Sequence, residues 1–150
     1  MADVTDLYIE VDSVAAKETQ KHYGFVIETV IRGSTYTVES FGICFGTYHK
    51  TVLTALANAL ERYKRPCEVT IHSQDSFVLS MIEQNLQQWA ESDFLNSKGQ
   101  PVKNQEEWRR VYEKSQGMIL EVSQGKHAYT GWLRREIEKR KEQENGSDKR

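Results

Sequence analysis

The chain has 150 residues, of which 38% are hydrophobic and 28% charged, with a formal net charge of −2 and a mean hydropathy of −0.67. This size and composition indicate one globular domain with a core of its own. No apolar run approaches the ~20 residues of a bilayer span and no secretory signal is evident, so we expect a cytoplasmic protein without membrane contact. Cys44 and Cys67 are expected to be reduced thiols. The negative charge counts against strong non-specific binding to nucleic acid.

The first third of the chain has the pattern of β-strands. In residues 7–12, apolar Leu7, Ile9 and Val11 alternate with other residues, which is typical of a strand with one buried face. Residues 23–31 and 35–44 are rich in β-branched and aromatic side chains and are separated by a short break that contains a glycine. This break predicts an antiparallel hairpin.

From about Lys50 the apolar residues recur at helical spacing, up to a stop at Pro66. The later patterns predict a strand at 67–72, helices at 77–88 and 105–115, a strand at 118–122 and a helix at 130–141. We therefore expect one domain over residues 1–141, with the order β-β-β-α-β-α-α-β-α. Residues 142–150 contain no apolar side chain and are expected to form a disordered tail.

This order of elements predicts an α/β fold. A three-stranded antiparallel unit followed by β-α-β crossovers produces a five-stranded mixed sheet flanked by helices on both faces.

A segment in the second half of the chain resembles bacterial ribonuclease HI. There, a tryptophan at a helix end leads through a loop to a Pro-Val-Lys-Asn turn and a helix with another tryptophan; Trp89, residues 101–104 and Trp108 match this pattern. The match needs no gap over residues 50–111 and extends more loosely over most of residues 7–139. The resemblance implies a ribonuclease H-like fold.

The resemblance also implies a chemistry. Ribonuclease H enzymes cleave the RNA strand of an RNA–DNA hybrid with two Mg²⁺ ions about 4 Å apart. Mg²⁺ prefers hard oxygen ligands, so several carboxylates must converge. The family supplies them from the first strand, the first helix, the end of the fourth strand and the start of the last helix, with an assisting histidine on the loop before that helix.

The first two family positions are only partly filled in this chain. Glu10 and Asp12 lie two residues apart on one face of the first strand, and either could occupy the aspartate position. On the first helix, the glutamate position corresponds to Val52, and no acid occurs between Thr47 and Ala59. Because valine cannot ligate a metal, this position indicates an incomplete site.

The remaining positions are also altered. At the end of the fourth strand the aspartate position corresponds to Gln74, and the neighbouring Asp75 is either a shifted ligand or a helix cap. His127 lies at or beside the position of the family histidine, while Glu136 and Glu138 are both candidates for the last carboxylate. The vestigial catalytic candidates are Glu10, Asp12, Asp75, His127 and Glu136. Glu10, Asp12 and Asp75 are the candidate ligands if the site binds Mg²⁺ or Mn²⁺; otherwise we expect no cofactor and negligible cleavage of hybrids.

The residues that would contact nucleic acid are also reduced in number. The family grips its substrate with a basic protrusion and with asparagines before the first helix, whereas residues 90–94 here are acidic and Tyr48 and His49 replace the asparagines. The candidate nucleic-acid contacts are Trp89, Phe94, Lys98, Lys103, Asn104 and Arg109.

Three functions remain open on these grounds. The first is a non-catalytic ribonuclease H-like protein that binds RNA–DNA hybrids or related duplexes weakly. The second is an atypical Mg²⁺- or Mn²⁺-dependent hybrid ribonuclease with an altered carboxylate site. The third is a protein-interaction module on the same fold, such as a dimer formed through an exposed aromatic or sheet-edge surface. Chains that resemble this one occur in bacteria and mobile elements.

Overall fold

The computed structural model describes residues 3–148, with side chains up to Glu144. Ten helices and strands follow one another along this part of the chain. The strands are β1 (Val4–Val11), β2 (Thr19–Ile31), β3 (Ser34–Gly46), β4 (Glu68–Ser73) and β5 (Ile119–Gln124). The helices are α1 (Tyr48–Leu60), α2 (Ser76–Gln84), α3 (Leu86–Glu91), α4 (Gln105–Lys114) and α5 (Thr130–Asp148).

The five strands form one mixed sheet in the order β3-β2-β1-β4-β5. The pairs β1–β2 and β2–β3 are antiparallel, whereas β1–β4 and β4–β5 are parallel. The predicted α/β fold and its mixed sheet are therefore confirmed. The parallel part of the sheet brings the carboxyl ends of β1 and β4 together, and the candidate site lies at these strand ends.

The alternation in β1 divides the core between the two faces of the sheet. Leu7 and Ile9 belong to the larger cluster, together with seven buried apolar residues of α1 and Trp108 of α4. Tyr8 belongs to a smaller cluster with Leu133 of α5 on the opposite face. Burying each large aliphatic side chain contributes about 1.5–3 kcal/mol, so the alternation fixes which face each residue of β1 occupies. Glu10 shares the face of Tyr8 and consequently points toward α5.

Two features differ from the sequence-based predictions. The predicted helix at 77–88 is two helices, because Asn85 leaves helical geometry with φ −126° and ψ −19° between α2 and α3. The predicted tail is helical as far as Asp148, as a continuation of α5. Lys141 pairs with Glu138 within this helix, and Glu144 lies 3.0 Å from His22 of β2, so charged contacts support the extension without apolar residues. Residues 149 and 150 of the predicted tail lie outside the described residues.

None of the helices within residues 3–148 is both long enough and apolar enough to cross a membrane.

Candidate functional site

The candidate site is centred on the carboxylate of Glu10, near the end of β1. Its side chain is buried, with the residue only 3% exposed, although it carries a charge. Gln74, which follows β4, donates from Nε2 to both carboxylate oxygens at 2.8 and 3.0 Å. Thr130, at the start of α5, donates from Oγ1 at 3.0 Å. The parallel pairing of β1 with β4 places Gln74 beside Glu10, as the resemblance implied for the family positions.

Two basic side chains complete the surroundings of Glu10. His127 Nε2 lies 3.0 Å from Glu10 Oε2 and 3.1 Å from the Ile9 carbonyl oxygen. His127 Nδ1 accepts a hydrogen bond from the Tyr129 amide, which leaves Nε2 as the donor toward these oxygens. Arg134, one turn of α5 beyond Thr130, directs Nε to Glu10 Oε1 at 3.3 Å.

These contacts keep Glu10 ionised. Burial by itself would raise the pKa of the carboxyl group, but the hydrogen bonds from His127, Thr130 and Gln74 lower it below its ordinary value. The site thus stabilises one buried carboxylate with donors from the protein itself.

The residues around Glu10 do not fit a two-metal centre. Val52, which the resemblance predicts at the position of the helix glutamate, is 1% exposed and packs in the apolar core. Gln74 presents its NH₂ group to Glu10, and Thr130 and Arg134 occupy the space at the start of the last helix where the resemblance implied a carboxylate. Within residues 3–148, no group of three or more His, Cys, Asp or Glu side chains could hold a metal ion. Donors and a cation therefore face Glu10 where a divalent ion would need further acidic ligands.

Asp12 is held away from this cluster. It accepts a hydrogen bond from the His22 amide at 3.0 Å, and Lys141 Nζ lies 3.1 Å from its Oδ2. Between the two alternatives on β1, the structure brings Glu10 rather than Asp12 against Gln74.

Asp75 serves as a helix cap. Its Oδ1 accepts a hydrogen bond from the Val78 amide at the start of α2, and its Oδ2 lies 2.7 Å from His49 Nδ1. The capping alternative is confirmed, and this carboxylate is committed to α2 and His49.

Glu136 does not reach the cluster. It pairs within α5 with Lys139 at 3.0 Å and Arg140 at 3.2 Å. The pattern of charges along α5 does not show this. Packing of Leu133 on the sheet determines which face of the helix meets Glu10. Thr130 and Arg134, four residues apart and hence on one helix face, are the residues that the sequence reasoning missed.

Tyr48, the first residue of α1, lies near Glu10 and Asp75. Burial raises the pKa of its phenol far above the ordinary value, and the nearby carboxylates of Asp75 and Glu10 raise it further. The rings of His49 and Phe77 are 4.8 Å apart, and those of Tyr48 and His49 are 5.7 Å apart. Tyr48, His49 and Phe77 form an aromatic patch beside the site, in which Phe77 is 48% exposed.

The predicted nucleic-acid contacts fall into two groups. Lys98 and Lys103 are exposed, and Asn104 adopts a left-handed conformation with φ 62° just before α4. Trp89 is half-buried and packs edge-on against Trp108, with ring centroids 5.2 Å apart.

The other two predicted contacts are engaged within the protein. Phe94 is 3% exposed and belongs to the core, so its ring is not accessible for stacking on a base. Arg109 pairs with Glu106 at 2.5 Å and with Asp93 at 3.5 Å, and its guanidinium lies over the Phe94 ring. The prediction of base stacking by Phe94 is wrong because its apolar surface is used to join α3 and α4.

The family model for RNase H matches residues 8–141, nearly the whole of the sheet and its helices. The chain belongs to the RNase H family.

Curated ribonuclease H relatives match about half of the chain. The ribonuclease H of Paracidovorax citrulli is 36% identical over 83 residues, which are 55% of this chain and 56% of the relative. The enzyme of Gluconobacter oxydans is 37% identical over 67 residues, 45% of each chain. These matches span about half the length of the relatives.

Solved RNase H structures share the fold at low identity. LC9-RNase H1, a type 1 RNase H with the type 2 active-site motif, superimposes with a TM-score of 0.68 at 12% identity over 92% of this chain and 70% of its own. The N-terminal RNase H domain of a Mycobacterium tuberculosis protein has a TM-score of 0.64 at 12% identity over 95% and 98%. A foamy viral protease–reverse transcriptase solved with an RNA/DNA hybrid has a TM-score of 0.59 at 15% identity over 91% and 19%.

Proposed function

We propose that this RNase H-family protein binds RNA–DNA hybrids or closely related duplexes without hydrolysing them. The observation that carries the proposal is the state of Glu10, whose carboxylate is held by Gln74, Thr130, His127 and Arg134. The family generally uses Mg²⁺, and this cluster gives such an ion only one carboxylate with a cation already beside it.

The energetics of the site support the loss of metal-dependent cleavage. A divalent ion would have to displace hydrogen bonds from Gln74 and Thr130 and would be repelled by the Arg134 guanidinium. Each charge-assisted hydrogen bond of this kind contributes about 1.5–3 kcal/mol. Val52 offers no compensating ligand. We infer that no cofactor is required for the retained function.

The surface around the site supports nucleic-acid binding. The side chain of Arg134 is 53% exposed and hydrogen-bonds Glu10 through Nε, so its Nη groups are placed to meet a phosphate. The aromatic patch lies on the same side and offers a surface for a sugar or base. Arg110 of α4 hydrogen-bonds Asn58 of α1 at 3.0 Å, and Lys114, one turn later, lies 3.6 Å from Glu61 just after α1, so the two helices run in the same direction. Lys103, just before α4, therefore lies toward the end at which α1 and the site begin.

Binding is measured with a fluorescently labelled RNA–DNA hybrid at low salt, with and without Mg²⁺, and the same samples are analysed for cleavage. We expect binding that does not depend on Mg²⁺ and no product. Lys103→Glu should weaken binding several-fold, since one phosphate contact is replaced by a like charge. Lys64→Glu is the matched control, because Lys64 is exposed beyond the far end of α1.

Two outcomes would replace the proposal. Cleavage that requires Mg²⁺ or Mn²⁺ and disappears in Glu10→Gln would establish the atypical hybrid ribonuclease. Absence of binding at low salt, for wild type and both lysine variants alike, would leave the fold as a protein-interaction module.

A further inference from the structure

Strand β3 forms an outer edge of the sheet and is unusually open. It is 13 residues long, which corresponds to about 44 Å of extended chain. One side of it pairs with β2 along its whole length, from Ser34 opposite Ile31 to Gly46 opposite Thr19. In the described part of the chain no strand pairs with its other side.

This edge lacks the features that normally prevent pairing with another chain. Edge strands are commonly protected by lysine, proline, bulges or short length. β3 contains no lysine or proline, its register with β2 has no bulge, and Glu39 is its only charged residue. Six of the ten exposed large hydrophobic residues in the described chain belong to the β2–β3 hairpin: Val30, Ile31, Tyr36, Val38, Ile43 and Phe45.

The hairpin turn determines which backbone groups of β3 face outward. Arg32 and Gly33 have φ values of 51° and 81°, the positive pair of a two-residue type I′ turn. In such a hairpin the flanking Ile31 and Ser34 exchange both hydrogen bonds, so even-numbered residues of β3 direct N–H and C=O toward β2. The odd-numbered residues from Thr35 to Phe45 therefore direct theirs outward, where only another extended strand can satisfy the whole row.

We propose that two copies of this chain pair through β3, antiparallel about a two-fold axis at Ser40, to form a continuous ten-stranded sheet. This register pairs all 13 residues and joins the outward-facing groups of odd residues with one another. An isologous contact of this kind is the commonest form of protein dimer. The proposal does not depend on nucleic-acid binding, because β3 is separated from the carboxyl end of β4 by two strands.

Side-chain size is complementary in this register. On the face that carries α5, Phe45 and Ile43 of one protomer lie opposite threonines of its partner, at positions 35 and 37. On the other face Tyr36 and Val38 lie opposite the small residues Cys44 and Gly42. Large residues thus meet small or β-branched ones at each pair, and cross-strand pairs of aromatic and β-branched residues are favourable.

Charge is complementary as well. Glu39 of one protomer lies opposite Phe41 of its partner, and the Arg140 guanidinium covers the Phe41 ring at 3.6 Å from its centroid. Each of the two Glu39 carboxylates in the dimer therefore lies near the Arg140 guanidinium of the other protomer. A register with the axis at Glu39 would instead place the two glutamates opposite each other, which is unfavourable.

The mass of the protein in solution tests the proposal first. Sedimentation equilibrium and light scattering should give twice the 17.4 kDa of one chain at a concentration of about 100 μM. Phe45→Lys should give a monomer with an unchanged circular dichroism spectrum, since Phe45 is 66% exposed in one chain. Ile119→Lys, an exposed residue on the opposite edge strand β5, is the matched control and should remain dimeric. A monomeric wild type, or a Phe45→Lys dimer, would overturn the proposal.

Two further variants test the register. Glu39→Arg should weaken dimerisation about tenfold, and the double variant with Arg140→Glu should recover most of it, because the pair is restored with opposite signs. Ser40→Cys should form an intermolecular disulfide on mild oxidation, since residues on the axis form a non-hydrogen-bonded pair with Cα atoms about 4.5 Å apart. Dimers that show neither rescue nor cross-linking would contradict pairing at this register.

Discussion

At the scale of single residues, the proposed function rests on the surroundings of Glu10. A carboxylate in a cluster of acids is repelled by its neighbours until a cation binds. The Glu10 carboxylate instead accepts hydrogen bonds from side chains of the protein, so its charge is stabilised without a bound ion. The donors are Gln74, Thr130, His127 and Arg134. These contacts predict that Glu10 contributes to the stability of the fold.

Glu10→Gln should therefore destabilise the fold. The substitution replaces one of the two acceptor oxygens by an NH₂ group, which can only donate, and removes the charge that faces Arg134, at a cost of about 2–3 kcal/mol. Urea unfolding at pH 7 in EDTA measures this loss, and Glu138→Gln, an exposed acid on α5, should change stability little. An increase in stability, as expected when repulsion within an acidic cluster is relieved, would contradict this account of the site.

The pH dependence of stability follows from the same group. The pKa of Glu10 in the folded protein lies below its ordinary value of 4.5. Its contribution is therefore complete above the unfolded pKa and is lost as the pH falls through the folded pKa. The difference in unfolding free energy between wild type and Glu10→Gln should shrink between pH 5 and pH 3. Urea titrations at several pH values will show this; a constant difference would mean that Glu10 acts through packing alone.

At the scale of elements, the hairpin turn carries a cost that can be relieved. Arg32 has φ 51°, a left-handed conformation that costs a residue with a large side chain about 1 kcal/mol. Asparagine tolerates this conformation and is preferred at that place in a type I′ turn. Arg32→Asn should raise the free energy of unfolding by about 0.5–1 kcal/mol. Gly33→Ala, with φ 81° at the next position, should lower it, and a thermal melt of both variants compares the signs.

The start of α2 depends on Asp75 in two separable ways. Its Oδ1 caps the helix and its Oδ2 pairs with His49. Asp75→Asn keeps a capping oxygen and loses the charge, whereas Asp75→Ala loses both. Alanine should cost about 1–2 kcal/mol and asparagine less. Equal losses in urea unfolding would show that the charge toward His49, and not the cap, is what stabilises this turn.

At the scale of the whole molecule, charge limits how tightly nucleic acid can be held. The chain has 20 basic and 22 acidic residues, and two cations of the proposed interface, Arg109 and Arg134, already pair with acids. Only a few phosphates can therefore be neutralised. The logarithm of the hybrid-binding constant should fall with the logarithm of salt concentration with a slope of roughly −2 to −4, and Lys103→Glu should reduce that slope by about one unit. A slope near −8 would indicate a far more basic interface than the one described.

Much of the fold could be predicted from local patterns. The alternation of Leu7, Ile9 and Val11, the Gly33 break in the hairpin and the helical spacing after Lys50 each correspond to an element of the structure. Such patterns are visible because buried residues recur every two residues in a strand and about every 3.6 residues in a helix. The break at Asn85 and the extension of α5 were missed, since neither changes the apolar pattern.

Only the residue types at the candidate site could be predicted from the sequence, whereas the contacts between them could not. The sequence by itself determined the resemblance that predicts Val52 and Gln74 at positions where the family has acids, because residue identity needs no coordinates. The tertiary structure alone decided that Glu10 rather than Asp12 belongs to the cluster, and that Thr130 and Arg134 rather than Glu136 face it. The physical reason is that these partners are brought together by parallel pairing of β1 with β4 and by packing of Leu133 on the sheet. Contacts over 120 residues of separation leave no periodic trace in the sequence.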